Sequence, residues 1–200
     1  MKPVIHVVDD DPAARASLCF LLEVAGFAAA GHESAEAFLL HADLGAPGCA
    51  VVDVRMPGMN GLELQQELNR RARGLPTIMV TGHGDVTMAV AALKAGAVDF
   101  IEKPFDDEAL LSAVREALDR AGRLQRERAL VQSLSERAQR LTDRERDVMD
   151  LVVDGLPNKA IAARLGISIR TVEIHRGRVM EKMRVTSLAD LIKAALHLGG

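Results

Sequence analysis

The sequence contains no tryptophan, no tyrosine and only five phenylalanines among its 200 residues. Proteins that bind single-stranded nucleic acids stack bases on aromatic side chains, so this scarcity argues against that class. The two cysteines, Cys19 and Cys49, are too few for a disulfide framework and suit a reducing compartment. We see no apolar run of the ~20 residues that a membrane helix needs and no secretory signal. We therefore expect a cytoplasmic protein without a membrane partner.

Charge is unevenly distributed, although the whole chain carries only −3. Residues 1–118 contain 9 Lys/Arg and 17 Asp/Glu, a net charge of −8. Residues 119–140 contain 6 and 3, a net charge of +3, and residues 141–200 contain 10 and 8, a net charge of +2. An acidic first part followed by a basic remainder indicates that the two halves have different partners.

Short apolar segments alternate with amphipathic helical segments over the first 120 residues. Clear strands are predicted at residues 4–8, 49–52, 76–80 and 98–101, and a weaker one at residues 27–31. Each is followed by a segment with helical spacing of apolar residues. Five strands alternating with five helices predict an α/β domain, in which helices cover both faces of a parallel sheet.

The rest of the chain is predicted to be helical. Residues 121–140 contain no proline and no strand pattern, so we interpret them as a charged helical linker that continues the last helix of the first domain. A solvated helix is one interpretation; a short coiled-coil contact in a dimer is the alternative, because apolar residues lie roughly at a/d spacing. In residues 141–200, Thr142, Asn158 and Ser168 are predicted helix caps, and Ser187 begins a fourth helix. The tight turn between the second and third helices predicts a helix-turn-helix.

Polar residues stand where four of the predicted strands end. They are Asp9 with Asp10, Asp53, Thr81 and Lys103. The carboxyl edge of an open α/β sheet is where ligands bind. Three carboxylates brought together repel one another unless a cation joins them, and oxygen ligands suit Mg²⁺. A carboxylate can accept a phosphoryl group, and an ammonium and a hydroxyl can bind the phosphoryl oxygens. The pattern therefore predicts phosphoryl transfer onto an aspartate.

The motifs around these residues resemble those of two-component receiver domains over residues 1–120. The motifs are Val8-Asp9-Asp10, Asp53-Val54-Arg55-Met56-Pro57-Gly58, Thr81-Gly82 and Lys103-Pro104-Phe105. Residues 81–85 and 95–105 are similar to the FixJ subgroup in particular. The resemblance implies a flavodoxin-like (βα)5 fold, with a sensor histidine kinase as the phosphodonor. It also implies slow autodephosphorylation rather than the turnover of an enzyme.

The resemblance assigns the phosphoryl group to Asp53. It implies that Asp10, Asp53 and the backbone carbonyl of Arg55 ligate Mg²⁺ directly, and that Asp9 does so through water. The Lys103–Pro104 bond is expected to be cis.

A switch is implied by the same resemblance. Lys103 pairs with the phosphoryl oxygens, Thr81 moves toward them, and Phe100 changes rotamer with it. The rearranged face, with Val90 and Lys94 as candidate contacts, then forms a homodimer.

The roles of two further residues have alternative interpretations. Arg55 and His83 lie two residues beyond Asp53 and Thr81. Either they shield the phosphoryl bond from water or they are exposed loop side chains. His6, His32 and His41 fall on different predicted elements, and we expect no metal-ligand set from them.

Residues 169–183 form the candidate recognition helix, because a major groove admits one helix and a helix-turn-helix places its second helix there. Its predicted apolar stripe consists of Ile169, Val172, Val179, Met180 and Met183. The opposite face carries Arg170, Thr171, Ile174, Gly177 and Arg178. Arginine suits guanine edges and phosphates, so this face predicts contact with double-stranded DNA. Arg176 lies within the apolar stripe, which favours a structural role.

Residues 141–145, 155–162 and 167–176 resemble the LuxR-type helix-turn-helix, in a match that extends from residue 141 nearly to the end. The resemblance implies base contacts from Glu173, Ile174 and Gly177. Phosphate contacts are implied for three further residues: Lys159, Thr171 and Lys182. We therefore interpret the chain as a receiver domain (1–120), a linker (121–140) and a four-helix DNA-binding domain (141–200). The expected function is a promoter-binding transcriptional regulator that activates transcription, with RNA polymerase as a further candidate partner.

Two other functions are less consistent with the sequence than a phosphorylated regulator. A Mg²⁺-dependent phosphatase with an aspartyl intermediate typically needs a second carboxylate two residues after the nucleophile, where this chain has Arg55. A DNA-binding protein with a vestigial receiver would not need the full set of Asp53, Thr81 and Lys103.

Overall fold

The computed structural model describes residues 2–71, 74–82 and 86–198. Within these ranges no helix is long and apolar enough to cross a membrane. The chain divides into two compact units, residues 1–125 and 126–200.

The first unit is built on a five-stranded parallel sheet of order β2-β1-β3-β4-β5. The strands are β1 (Val4–Val8), β2 (Ala28–His32), β3 (Gly48–Asp53), β4 (Thr77–Thr81) and β5 (Asp99–Glu102). The helices are α1 (Pro12–Val24), α2 (Ala35–His41), α3 (Gly61–Arg70), α4 (Val86–Lys94) and α5 (Asp107–Ala138). The alternation of strands and helices predicted from the sequence is confirmed, and so is the flavodoxin-like fold.

Two apolar layers hold this sheet, because successive side chains of a strand point to opposite faces. On one face Val7 and Val51 pack with α1 and α5 through residues such as Leu22 and Val114. On the other face the core contains Val52 and its neighbours from α2 and α3, which include Phe38, Leu64 and Leu68. Strands β3 and β4 are buried along their whole length. The polar residues at their carboxyl ends therefore stand on a rigid support.

Helix α5 is continuous over 32 residues. Its first turns belong to the core of the first unit, where Leu110, Val114 and Ala117 are buried. Residues 125–130 are all exposed. Near its end Leu134 is buried in the core of the second unit. The segment interpreted as a linker therefore continues the receiver helix, and its last turns lie in the second unit, which includes residues from 126 onward.

The second unit contains four further helices: α6 (Asp143–Val153), α7 (Asn158–Leu165), α8 (Ile169–Met183) and α9 (Leu188–Leu198). Thr142 and Glu145 form the predicted capping box at the start of α6. Gly166, between α7 and α8, adopts a left-handed conformation with φ of 67°, which glycine reaches without steric cost. The shared core includes Val148, Ile161, Val172, Val179, Met183 and Leu191.

Two details of this unit differ from the sequence-based expectation. The N-cap of α7 is Pro157, which has no side-chain acceptor, and Asn158 is the first residue of the helix. The Asn158 side chain accepts a hydrogen bond from Arg176 Nη1 at 2.6 Å. Ile169, expected in the apolar stripe of α8, has 46% of its surface exposed because it occupies the first position of the helix.

Candidate functional site

Two buried carboxylates share one lysine at the carboxyl edge of the sheet. Asp9 follows β1 and Asp53 ends β3; these strands are neighbours, and the residues are only 2% and 9% exposed. Lys103, which follows β5, places its Nζ 2.8 Å from Asp9 Oδ2 and 3.0 Å from Asp53 Oδ1. The ammonium therefore compensates two negative charges that would otherwise repel each other in a poorly solvated site.

Backbone groups orient both carboxylates. The Arg55 N–H donates to Asp53 Oδ2 at 2.7 Å, and the Asp11 N–H donates to Asp9 Oδ1 at 2.9 Å. Each carboxylate thus has one oxygen held by the backbone and the other by Lys103. Arg15 Nη1 donates to the Asp9 carbonyl at 2.6 Å and fixes the start of this loop on α1.

The electrostatics of Lys103 follow from this geometry. Burial of the ammonium disfavours its charge, but the hydrogen bonds to Asp9 and Asp53 outweigh that effect and raise its pKa above the ordinary value. Lys103 is therefore charged at neutral pH and can offer a cation to an incoming anion.

Gly61, at the start of α3, supports the position of Asp53. A Cβ at residue 61 would lie 2.6 Å from the Asp53 backbone oxygen, which is too close for any other residue. The Gly61 N–H also donates to the Val54 carbonyl at 3.0 Å. This contact was missed at the level of sequence, because a glycine at a helix start gives no sign of which strand it approaches.

Thr81 and Phe100 lie on the last two strands of the sheet. Thr81 is fully buried at the end of β4, and its carbonyl accepts the Lys103 N–H at 2.7 Å. Phe100 is partly buried on β5 and packs against the core that contains Met79. The Lys103–Pro104 bond is cis, as the resemblance implied.

The donors fit a magnesium ion only in part. Asp9, Asp53 and the Arg55 carbonyl are oxygen donors of the kind that Mg²⁺ prefers. Asp10, however, is exposed. In the described part of the chain no group of three or more His, Cys, Asp or Glu is arranged to hold a metal ion. Lys103 joins Asp9 and Asp53, whereas Asp10 is exposed, and the magnesium site with all three carboxylates stays a prediction.

Other predicted site residues of the first unit lie apart from this pair. Val90 and Lys94 are on α4; Val90 is 43% exposed and Lys94 is also exposed. Arg55 is exposed beside Asp53. His83 lies outside the described residues.

The histidines are less scattered than the sequence suggested. His6 Nδ1 lies 3.0 Å from His32 Nε2, because β1 and β2 are parallel neighbours. Both rings pack against Phe38, with ring centroids 5.2 Å apart. Burial, and after it His32, lower the pKa of His6 to about 4, against an opposing effect of Asp43. Burial and the charge of His41 also lower the pKa of His32.

The predicted DNA-contacting residues lie along the outer face of the second unit. Five of them are exposed on α8: Arg170, Glu173, Ile174, Gly177 and Arg178. Thr171 is partly buried on the same helix, and Lys159 is exposed on α7. A Cβ at Gly177 would meet no atom within 4 Å, so the backbone of α8 is open to close approach there.

Lys182 and Arg176 are engaged within the protein. Lys182 Nζ lies 2.5 Å from Oε2 of the buried Glu145. The hydrogen bonds from Lys182 and from the Thr142 N–H lower the pKa of Glu145 to about 2. Arg176 is bound to Asn158, in agreement with the structural role favoured by its position in the stripe. The partner of Lys182 lies 37 residues away on another helix, a separation for which sequence periodicity gives no signal.

Comparison with known families matches both units. Residues 5–115 match the response regulator receiver domain, and residues 139–195 match the luxR family of bacterial regulatory proteins. The chain belongs to the FixJ-like response regulators. It is a transcriptional regulator that combines a receiver domain with a LuxR-type DNA-binding domain, and its family is not one of classical enzymes.

Relatives match the FixJ-like chain over nearly its whole length. The transcriptional regulatory protein FixJ of Azorhizobium caulinodans is 51% identical over 198 residues, covering 98% of this chain and 92% of that protein. FixJ of Rhizobium meliloti is 48% identical over 195 residues, covering 98% and 96%. Among solved structures, the response regulator StyR has a TM-score of 0.85 with 42% identity and 98% coverage of both chains. Full-length FixJ from B. japonicum has a TM-score of 0.60 with 43% identity, covering 100% and 98%.

Proposed function

We propose that this response regulator is switched by transfer of a phosphoryl group from a sensor histidine kinase to Asp53. The observation that carries the proposal is the position of Lys103 Nζ between Asp9 and Asp53, 2.8 and 3.0 Å from their oxygens. A carboxylate oxygen of Asp53 attacks phosphorus, an acyl-phosphate bond forms, and the phosphorus–nitrogen bond to the kinase histidine breaks. Lys103 then turns from the free carboxylate to the phosphoryl oxygens.

Mg²⁺ bound to Asp9, Asp10, Asp53 and the Arg55 carbonyl would neutralise charge on the phosphoryl oxygens. The chain's own residues supply the rest. The Arg55 N–H holds Asp53 in one orientation, and Thr81 supplies a hydroxyl from the end of β4. We propose that the phosphoryl group is lost slowly to water and that the receiver has no other catalytic activity.

An apolar surface beside the acidic pair supports a protein as phosphodonor. A cavity of about 620 Å³ is lined by Lys103, Pro104 and Phe105 together with α1. Phe20 and Val24, on the α1 side of this cavity, are 68% and 70% exposed. Exposed apolar patches of this kind usually mark protein contacts. A kinase helix that presents phosphohistidine would find apolar contacts next to Asp53.

Dimerisation is the proposed result of phosphorylation. Thr81 ends β4, the strand before α4, so its movement toward a phosphoryl group would alter the surface that follows. Helix α4 exposes Val86, Val90 and Leu93, which are 81%, 43% and 49% exposed. We propose that this face, with Lys94, forms the homodimer contact, and that Phe100 on β5 adjusts with it.

The proposed target of the dimer is promoter DNA in the cytoplasm. Helix α8 would enter the major groove, with Glu173, Ile174 and Gly177 at the base edges. The surrounding phosphate and groove contacts are proposed for Lys159, Arg170, Thr171, Arg178 and Lys182. The pairing of Lys182 with Glu145 leaves its ammonium less available than an exposed lysine. A net charge of only +2 over residues 141–200 favours binding as a dimer. Activation of transcription through RNA polymerase is proposed as the outcome.

The test is acceptance of a phosphoryl group by wild type and Asp53→Asn. Each protein is incubated with acetyl phosphate and Mg²⁺, then measured by intact mass and by sedimentation. We expect wild type to gain one phosphoryl group and to dimerise, whereas D53N does neither. Asp119→Asn is the matched control, since it removes the same charge from an exposed position on α5. Equal phosphorylation and dimerisation of D53N and wild type would contradict the proposal.

A further inference from the structure

The carboxyl end of α8 is held by a side chain from α5. Arg137 Nη1 donates a hydrogen bond to the carbonyl of Met183, the last residue of α8, at 3.1 Å. The last carbonyls of a helix have no partner within the helix, and the helix dipole makes this end negative. A guanidinium is therefore suited to this position by both hydrogen bonding and charge.

The backbone turn that ends α8 bonds to other carbonyls of the helix. Arg184 follows Met183 in a left-handed conformation with φ of 55°, which is unfavourable for a residue with a side chain. The N–H groups of Arg184 and Val185 bond back to carbonyls within α8, those of Glu181 and Met180. These turn bonds do not use the Met183 carbonyl, to which Arg137 donates.

The end of α5 is itself firmly attached to the second unit. Leu134 is buried in the core that includes Met183, and Ala138 packs against the same core. The Ala138 carbonyl accepts a hydrogen bond from Arg146 Nη2 at 3.3 Å, which ties α5 to α6. Arg137 therefore acts from a fixed base. It precedes residue 139, where the match to the luxR family begins.

The other part of α8 is held by different contacts. Ser168 caps its first turn, and Arg176 near its middle is bound to Asn158 of α7. These contacts locate the first half of the helix. At its end, Lys182 pairs with Glu145 of α6 through its side chain, and Arg137 holds the backbone carbonyl of the last residue. A helix of 15 residues is about 22 Å long, so a shift at one end changes the tilt of the whole element.

We propose that Arg137 is a positioning residue for DNA recognition, and that it sets the tilt of α8 in the major groove through the Met183 carbonyl. This rests on the proposed function, in which α8 reads base edges. Arg137 touches no base in this scheme. Its loss would weaken binding to the preferred sequence, in which base contacts need the correct tilt, and would spare binding to unrelated DNA, in which phosphate contacts dominate.

The experiment uses the full chain treated with acetyl phosphate and Mg²⁺. A duplex selected by the wild-type protein from a randomised library serves as the specific probe, and a shuffled duplex serves as the non-specific probe. Both are measured by fluorescence anisotropy at fixed salt for wild type, Arg137→Ala, Arg137→Lys and Arg137→Gln. Arg140→Ala is the matched control, because it removes the same charge from an exposed side chain three residues later.

We expect R137A to bind the selected duplex about tenfold more weakly than R140A, with equal affinity of the two for the shuffled duplex. R137K, which keeps a charged donor, should recover part of the loss. If thermal unfolding shows that R137A is not folded, R137Q carries the comparison, since it keeps a donor without the charge. Equal binding by the Arg137 variants and R140A, or equal losses on both duplexes, would overturn the proposal. A wild-type protein that selects no duplex would instead refute the proposed DNA-binding function.

Discussion

At the scale of single residues, Lys103 determines whether two buried carboxylates can coexist. Its ammonium contacts both Asp9 and Asp53, and each of these has its second oxygen on a backbone N–H. The two carboxylates keep the Lys103 ammonium protonated, since their hydrogen bonds raise its pKa above the ordinary value. The order of motifs along the chain was enough to predict these three residues, because the carboxyl ends of parallel strands meet at one edge of a sheet.

Replacing Lys103 by methionine should destabilise the first unit. The substitution leaves two ionised carboxylates facing each other with no cation, and we expect a loss of about 2 kcal/mol in the free energy of unfolding at pH 7. Urea denaturation measures it. Lys94→Met, at an exposed position on α4, is the control and should change stability little. A K103M protein as stable as K94M would show that the pairing contributes no stability.

The His6–His32 pair should make the first unit sensitive to acid. The pKa of His6 is lowered from its ordinary value of 6.5 to about 4 in the folded protein. Between these two pH values the unfolded chain binds a proton at His6 and the folded protein does not. Stability is therefore full above about pH 6.5 and falls as the pH drops toward 4. We expect His6→Gln to remove about 2 kcal/mol of this pH-dependent loss. Urea denaturation at pH 7.5, 6 and 5 checks it, with His197→Gln, at an exposed ring on α9 of the second unit, as the control. A parallel pH profile for H6Q and wild type would contradict this assignment.

At the scale of elements, the local sequence pattern predicts which segments form strands and helices. It does not predict which side chains from distant segments come into contact. Alternation located all five strands, including the half-exposed edge strand β2, whose alanines and glycine give a weak signal. The pairing of Asn158 with Arg176, however, depends on the crossing of α7 and α8, and the contact of His6 with His32 depends on strand register. Neither is encoded in spacing along one segment, and both were predicted differently from the sequence.

A double-mutant cycle tests the role assigned to Asn158. The Asn158 side chain accepts a hydrogen bond from Arg176 and does not cap α7. Asn158→Ala and Arg176→Met should therefore each lower the free energy of unfolding of the second unit by about 1–2 kcal/mol. The double variant should lose less than the sum of the two single losses. Thermal unfolding of the single and double variants gives the coupling energy. Strict additivity would mean that Asn158 acts as a cap independently of Arg176.

At the scale of the whole molecule, an overall charge of −3 conceals an acidic receiver and a modestly basic DNA-binding unit. One continuous helix, α5, begins in the core of the first and ends in the core of the second. Because its DNA-binding unit carries little positive charge, one chain attracts DNA phosphates only weakly. Two chains acting together are therefore expected to bind DNA more tightly than one. Control of dimerisation would then be control of promoter binding.

The most direct test of this control is the affinity for the selected duplex with and without acetyl phosphate, measured on wild type, D53N and D119N. We expect phosphodonor and Mg²⁺ to raise the affinity of wild type and D119N by about tenfold or more, and to leave D53N unchanged. A D53N protein that gains affinity as wild type does would contradict the central claim that phosphorylation of Asp53 governs DNA binding.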